Sequence, residues 1–347
     1  MVRVSLRNIE NYALHGITVE FPPGEISAIV GPNGAGKTTI LRVIAGLTQY
    51  KGSVLFDGKV VDSIPPYRRN ILYIPQRNAL FPHMNVWENI AFPLKIRGFN
   101  KRVIEERVNW ALKKLSIEHL ASKYPSQLSS GEARRVAIAR SLVVGGNPLL
   151  VDEIEQSLDV GIRLEIFEEI ERISRERGLT TIIVTHDLEW AMNRADEIIF
   201  LWDGRVIYAG PPKDFEPHSV DPCKLAWFGS VVNASGVDEN ECYAIIGYER
   251  APIQPCNVSR GVNKVYIPPD GAIVNQKGRL KGRIVWSGEI NGVKKLVVDV
   301  DGALIVARYN PHGVKIGSEV NIRILKAIPI KTRQESSVFS PMNYYWT

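Results

Sequence analysis

At 347 residues the chain is longer than one typical core, and its length calls for about two domains. No apolar stretch approaches the ~20 residues that cross a bilayer, and Met1-Val2-Arg3-Val4-Ser5 leads straight into strand-like alternation, so neither a membrane span nor a secretory leader is expected. The net charge of +6 is interspersed with acids rather than gathered in a run, which reads as a solvated surface and argues against a nucleic-acid partner.

From Met1 to about Gly210 strands and helices alternate. Strands are predicted at Val2 to Leu6, Ile17 to Phe21, Ile26 to Val30, Ser53 to Phe56, Ile71 to Ile74, Leu149 to Val151, Thr181 to Val184, Ile198 to Leu201 and Val206 to Tyr208. Ile104, Val108, Ala111, Leu112 and Leu115 recur at helical spacing, as do Ile162, Ile166, Ile170 and Ile173. The alternation predicts an α/β domain over residues 1–210 with a parallel core sheet. Residues 211–240, with Pro211-Pro212, Pro217 and Pro222 around one aromatic cluster at Trp227-Phe228, read as a linker. Only short strands follow: Tyr243 to Tyr248, Lys264 to Ile267, Ala272 to Asn275, Gly282 to Trp286, Lys294 to Val300, Ala303 to Arg308 and Glu319 to Leu325. Turn pairs Asp270-Gly271, Asn291-Gly292 and Asp301-Gly302 punctuate them and predict a small antiparallel barrel over 241–330, followed by a tail, 331–347. Cys223, Cys242 and Cys256 lack the paired spacing of a zinc or disulfide framework and read as free thiols of a cytosolic protein.

The decisive line is Gly31-Pro32-Asn33-Gly34-Ala35-Gly36-Lys37-Thr38-Thr39, because it follows the strand Ile26 to Val30 and opens a helix. Glycines let the backbone wrap a polyphosphate with its N–H groups pointing inward, Lys37 reaches the terminal phosphates, and the Thr38 hydroxyl suits Mg²⁺. Leu149-Leu150-Val151-Asp152-Glu153 is a buried strand ending in two carboxylates, one fitted to hold Mg²⁺ and its neighbour to polarise an attacking water. Between them, Leu128-Ser129-Ser130-Gly131-Glu132 opens a helix whose exposed N–H groups form either a plain cap or a second anion site.

These segments, followed by Thr185-His186-Asp187, stand in the order and spacing of ATP-binding-cassette (ABC) ATPases, and residues 1–210 resemble that family. The resemblance implies that Asn33, Gly34, Ala35, Gly36, Lys37, Thr38 and Thr39 bind ATP, that Thr38, Gln76 and Asp152 serve Mg²⁺, and that Glu153, Gln76 and His186 are catalytic. Tyr12 resembles the aromatic that stacks on adenine, although a core tyrosine fits it nearly as well. Ser157-Leu158-Asp159 resembles the loop that communicates across a dimer. The resemblance also implies that Ser129, Ser130, Gly131 and Asp159 act in trans on the ATP of a second cassette, which makes a homodimer the simplest assembly. The chain departs from the family at Ser130 and Glu132, where L-S-G-G-Q is usual, at Ile154, where proline is usual, and at Gln156, where serine is usual. Those changes bear on rate and coupling more than on the reaction.

The run Ala79-Leu80-Phe81-Pro82-His83-Met84-Asn85-Val86-Trp87 is similar to the helical subdomain of importer cassettes, whose apolar groove receives a permease helix. Phe81, Met84 and Val86 fit plain core as well. With an OB-like (TOBE- or MOP-like) regulatory barrel, the chain resembles importer subunits for molybdate, tungstate, sulfate, ferric iron, polyamines and sugars, and leans slightly to the oxyanion and metal-ion branch. The expectation is a peripheral ATPase on the cytoplasmic side of the membrane, bound to separate permeases and served by an extracellular solute-binding protein. The competing readings are a soluble cassette ATPase uncoupled from transport and a binding module. Lys277, Arg279, Lys281 and Arg283 are candidate anion contacts in the barrel, against the simpler reading of a solvated basic face.

Overall fold

The computed structural model describes residues 1–155, 158–215, 221–238, 243–247, 249–253, 264–275, 277–290, 292–309 and 315–330. In chain order the first lobe contains β1 (Val4–Glu10), β2 (His15–Phe21), β3 (Ile26–Val30), α1 (Lys37–Ala45), β4 (Lys51–Phe56), β5 (Lys59–Val60), β6 (Leu72–Ile74), α2 (Val86–Ile96), α3 (Lys101–Lys114), α4 (Ser130–Leu142), β7 (Leu149–Asp152), α5 (Val160–Arg177), β8 (Thr181–Val184), α6 (Leu188–Arg194), β9 (Glu197–Trp202) and β10 (Arg205–Gly210). The predicted strands are all present, Ile26–Val30 and Thr181–Val184 with both ends as predicted and the others with ends moved by up to four residues.

Strands β3, β7 and β8 are buried at every position because the sheet β10-β9-β3-β8-β7-β6 is covered on both faces. Its strands run parallel except β10, which returns as a hairpin on β9. The period of two sorts successive residues onto opposite faces. Ile29, Leu150, Ile182, Val184 and Ile199 pack with α1 and the antiparallel sheet β2-β1-β4-β5, whereas Ala28, Val30, Leu149, Val151, Ile183 and Ile198 pack with the helical side. Helices α2, α3 and α4 pack on one another on that side, and α4 also packs against β6. Phe81 is half-buried against Phe92, Met84 is also half-buried, and Val86 is core.

The described residues of the stretch read as linker carry regular elements. They form α7 (Pro222–Phe228), β11 (Ser230–Asn233) and β12 (Gly236–Asp238), because Phe228 has a core to enter. Phe228 stacks on Phe200 of β9 with centroids 4.1 Å apart and is fully buried. The remaining strands are β13 (Tyr243–Ile246), β14 (Glu249–Pro252), β15 (Lys264–Ile267), β16 (Ala272–Val274), β17 (Leu280–Ile290), β18 (Val293–Val300), β19 (Ala303–Arg308), β20 (Glu319–Ile324) and β21 (Ile328–Pro329). A five-stranded barrel closes in the order β16-β19-β18-β17-β20. It is not wholly antiparallel: the meander β17-β18-β19 leaves β19 running the same way as β16, which it meets in parallel. An ion pair between Lys326, just after β20, and Glu189 of α6 ties the barrel to the first lobe, and beside it the Tyr266 hydroxyl of β15 donates to the Phe228 carbonyl of α7 at 2.6 Å. Gln156, Ser157, Pro217, Tyr248, Asn291, Cys242, Cys256 and the tail 331–347 lie outside the described residues, as does the side chain of Cys223.

Replacing Phe228 with alanine opens a cavity beside Phe200, Trp202 and Trp227. The expected cost is about 3–5 kcal/mol, read as a fall in the denaturant midpoint; a change below ~1 kcal/mol would contradict this placement of α7.

Candidate functional site

The glycine loop leaves β3 and enters α1 through backbone that other residues do not fit. A Cβ on Gly31 would stand 2.1 Å from the Leu201 carbonyl oxygen, and Gly36, at φ 100°, would carry one 2.9 Å from the Ala13 carbonyl oxygen. Asn33 and Gly34 are exposed, whereas Ala35, Gly36, Lys37 and Thr39 are buried. The loop folds back so that the Lys37 ammonium donates to the carbonyl oxygens of Gly31 and Pro32, each at 3.0 Å. Burial pulls the Lys37 pKa below its usual value, and the charge of Glu153, 3.7 Å away, pulls it back up.

At the carboxyl end of β7, Asp152 accepts from the Thr38 hydroxyl at 2.7 Å and from the Tyr73 hydroxyl at 3.1 Å. Burial raises its pKa, and these two donors oppose the rise. Tyr73 is pushed up in turn, by burial first and then by the Asp152 charge. Glu153 sits at φ 41°, a left-handed conformation that costs a non-glycine residue roughly 1–2 kcal/mol. Its amide donates to the Val184 carbonyl at 3.0 Å, which fixes the turn. Its carboxylate gathers the expected catalytic set: Gln76 Nε2 donates to Oε2 at 2.9 Å, and His186 Nε2 lies 2.9 Å from Oε1.

The structure thus brings together Lys37, Thr38, Asp152, Glu153, Gln76 and His186. Ser129, Ser130, Gly131, Asp159 and Tyr12 make no hydrogen bond or ion pair with that cluster among the described residues. Ser129 is the N-cap of α4 in a capping box: Glu132 N–H donates to Ser129 Oγ at 3.3 Å and Ser129 N–H donates to the Glu132 carboxylate at 2.7 Å. That bond holds the Glu132 pKa below its usual value. Ser130 is exposed, and Gly131 is buried where a Cβ would press within 3.0 Å of Ile162. Asp159 caps α5 without a side-chain bond. Tyr12 is 75% exposed, which removes the core reading. In the barrel, Lys277, Arg279, Lys281 and Arg283 are exposed, and Arg283 stands in register opposite Asp299 and Glu319.

Four participants escaped sequence reasoning. Tyr73 lies on β6 beside β7, and only strand order makes it a neighbour of Asp152. Glu155 accepts from the Thr185 hydroxyl and the His186 amide. Arg134 of α4 donates to the carbonyls of Pro75 and Gln76 at 2.8 and 2.6 Å, and Arg140 donates to those of Asn78 and Ala79. The sequence signal for that clamp is the pair of arginines, Arg134 and Arg140, within the helix that follows Ser129.

A family profile described as ABC transporter matches residues 14–156. Over 342 residues the chain is 32% identical to the spermidine/putrescine import ATP-binding protein PotA of Clostridioides difficile, covering 92% of this chain and 95% of that one. It is 32% identical to the molybdate/tungstate import ATP-binding protein WtpC of Pyrococcus horikoshii, covering 95% and 94%. PotA of Trichormus variabilis is 42% identical over 217 residues, a match that spans 57% of that relative's length. Among solved structures, cbiO1 of Clostridium perfringens, part of the ABC transporter complex cbiONQ, superposes with a TM-score of 0.57 at 33% identity, covering 61% of this chain and 89% of that one. The ATP-binding cassette MJ0796, a dimer bound to ADP and Pi, gives 0.55 at 28% identity, covering 61% and 100%.

Asp152 titrates above its usual 3.8, so folding disfavours its charged form; the penalty is absent below that value and complete above the raised pKa. Asp152→Asn, whose amide oxygen accepts from one of the Thr38 and Tyr73 hydroxyls while its NH2 donates to the other, is therefore expected to raise the Tm of the unliganded protein at pH 7.5 by roughly 2–4 °C. The gain should shrink towards zero as the pH falls below ~4; a variant that melts lower than wild type at pH 7.5 contradicts the burial argument.

Proposed function

Because the chain belongs to the ABC transporter family, we propose that it is the ATP-hydrolysing, energy-coupling subunit of an importer, acting on ATP and water to release ADP and phosphate. The observation that carries this reading is the convergence on the Glu153 carboxylate of Gln76, His186 and Lys37, beside the Thr38–Asp152 pair. In this reading the amides of Asn33 to Thr38 cradle the phosphates, and Lys37 turns from the loop carbonyls to the β- and γ-phosphates. Glu153 polarises the attacking water, and His186 and Gln76 orient that water and sense the γ-phosphate. Thr38 and Asp152 offer the hard oxygen donors that suit Mg²⁺, with Gln76 adjoining, and the ion would neutralise charge developing on the phosphates. Catalysis is then positioning plus electrostatics.

Ser129, Ser130, Gly131 and Asp159 stand apart from this cluster, which supports their action on the ATP of a second copy in a homodimer. Exposed Tyr12 suits an adenine ring, which needs an open aromatic face. The separate permeases are supported by relatives named as import ATP-binding proteins, and by the lack, among the described residues, of any helix long and apolar enough to cross a membrane. The subunit would sit peripherally on the cytoplasmic face, with an extracellular binding protein delivering cargo to the permeases. Relatives named for polyamines, molybdate or tungstate, and sulfate or thiosulfate leave the cargo as an oxyanion or another small solute.

Glu153→Gln should lower kcat at least 10²-fold while ATP binding persists, and should trap an ATP-bound dimer by size exclusion; a variant that binds Mg-ATP yet stays monomeric would sink the dimer mechanism. Lys37→Ala should weaken ATP binding at least tenfold, about 1.4 kcal/mol or more, in a fluorescence titration, and unchanged affinity would remove the site assignment. Pull-down from membranes should recover an integral-membrane partner; recovery of ribosomes or DNA instead would favour a soluble ATPase.

A further inference from the structure

Resting on the reading that this site hydrolyses ATP, we propose that Glu155 is a positioning residue that sets His186 against Glu153. The two glutamates flank the fully buried Ile154 and hold the same histidine by different parts. Glu153 Oε1 lies 2.9 Å from the imidazole Nε2, and Glu155 Oε1 accepts the backbone N–H of His186 at 2.7 Å. The same Glu155 oxygen accepts the Thr185 hydroxyl at 2.8 Å, and Thr185 Oγ accepts the Asp187 N–H at 2.9 Å. Asp187 then caps α6 through the Trp190 amide. One carboxylate oxygen therefore organises the whole turn from the end of β8 into α6, and the ring of His186 projects from the middle of it.

The position is an expensive place for a carboxylate. Glu155 Oε2 is sealed from solvent and has no hydrogen-bond partner among the described residues, and burial raises the group's pKa. An apolar side chain would avoid that penalty but would strand the His186 amide and the Thr185 hydroxyl. The acceptor atom is thus the useful part of the side chain, and the charge is incidental. Losing it frees the turn to shift, and a shift of about 1 Å in a reacting group costs on the order of 10²-fold in rate.

The test is steady-state ATPase kinetics on the full-length chain as wild type, Glu155→Leu, Glu155→Gln, His186→Ala and the double variant Glu155→Leu/His186→Ala, with thermal melts as the folding control. Glu155→Leu is expected to lose at least tenfold in kcat with KM for ATP within about twofold of wild type. Glu155→Gln, which keeps an acceptor oxygen in place, should recover most of that loss. The double variant should be no slower than His186→Ala, because both changes remove one contact. Additive losses in the double variant, a Leu variant as fast as wild type, or a Gln variant as slow as Leu would each overturn the proposal. If Glu155→Leu does not fold, Glu155→Asp, which withdraws the acceptor by one carbon, replaces it in the cycle with the same expectations. A wild-type chain that turns over no ATP would instead remove the hydrolysis reading beneath the proposal.

Discussion

Three carboxylates within four residues, Asp152, Glu153 and Glu155, end a strand that is buried on both faces, and the first lobe is arranged around making that tolerable. Water is largely excluded there, so each charge needs a specific partner or must titrate upward. Asp152 receives two hydroxyl donors, Glu155 a hydroxyl and an amide, and Glu153 the Gln76 amide with the imidazole and the Lys37 ammonium nearby. Among the described residues two buried cations act on this cluster: Lys37, 3.7 Å from Glu153, and Arg134, whose charge bears on Glu155 and Asp152.

Donors come from different parts of the chain, and strand order delivers them. Lys37 and Thr38 follow β3, Gln76 follows β6, Glu153 follows β7 and His186 follows β8; these are neighbouring parallel strands whose carboxyl ends lie along one sheet edge. The left-handed turn at Glu153 then carries its side chain back across that edge. The loop bearing Gln76 is itself clamped by Arg134 and Arg140 through four backbone carbonyls, so displacement of α4 would move a ligand of Glu153.

The barrel is joined to this lobe through an aromatic core rather than a loose tether. Phe228, Phe200, Phe215 and Tyr208 form one cluster, and the Tyr266 hydroxyl satisfies the Phe228 carbonyl at its edge. Proline frequency between 211 and 240 reads as a spacer, because composition cannot register that Phe228 has a buried destination.

The glycine loop, the paired acids at Asp152-Glu153, the alternation of strands and helices and the succession of short strands in the barrel are legible in the order of residues alone. Each of these is a local pattern whose physics acts within a few residues: left-handed glycines, period-two burial and turn pairs. It takes the folded chain to show that Tyr73 bonds Asp152, that Glu155 holds the His186 turn, that Arg134 clamps the Gln76 loop, that Tyr12 is exposed, and that one barrel contact is parallel. Those facts depend on which strands lie side by side and on which donors burial leaves without water, and neither is written in the spacing of residues along the chain.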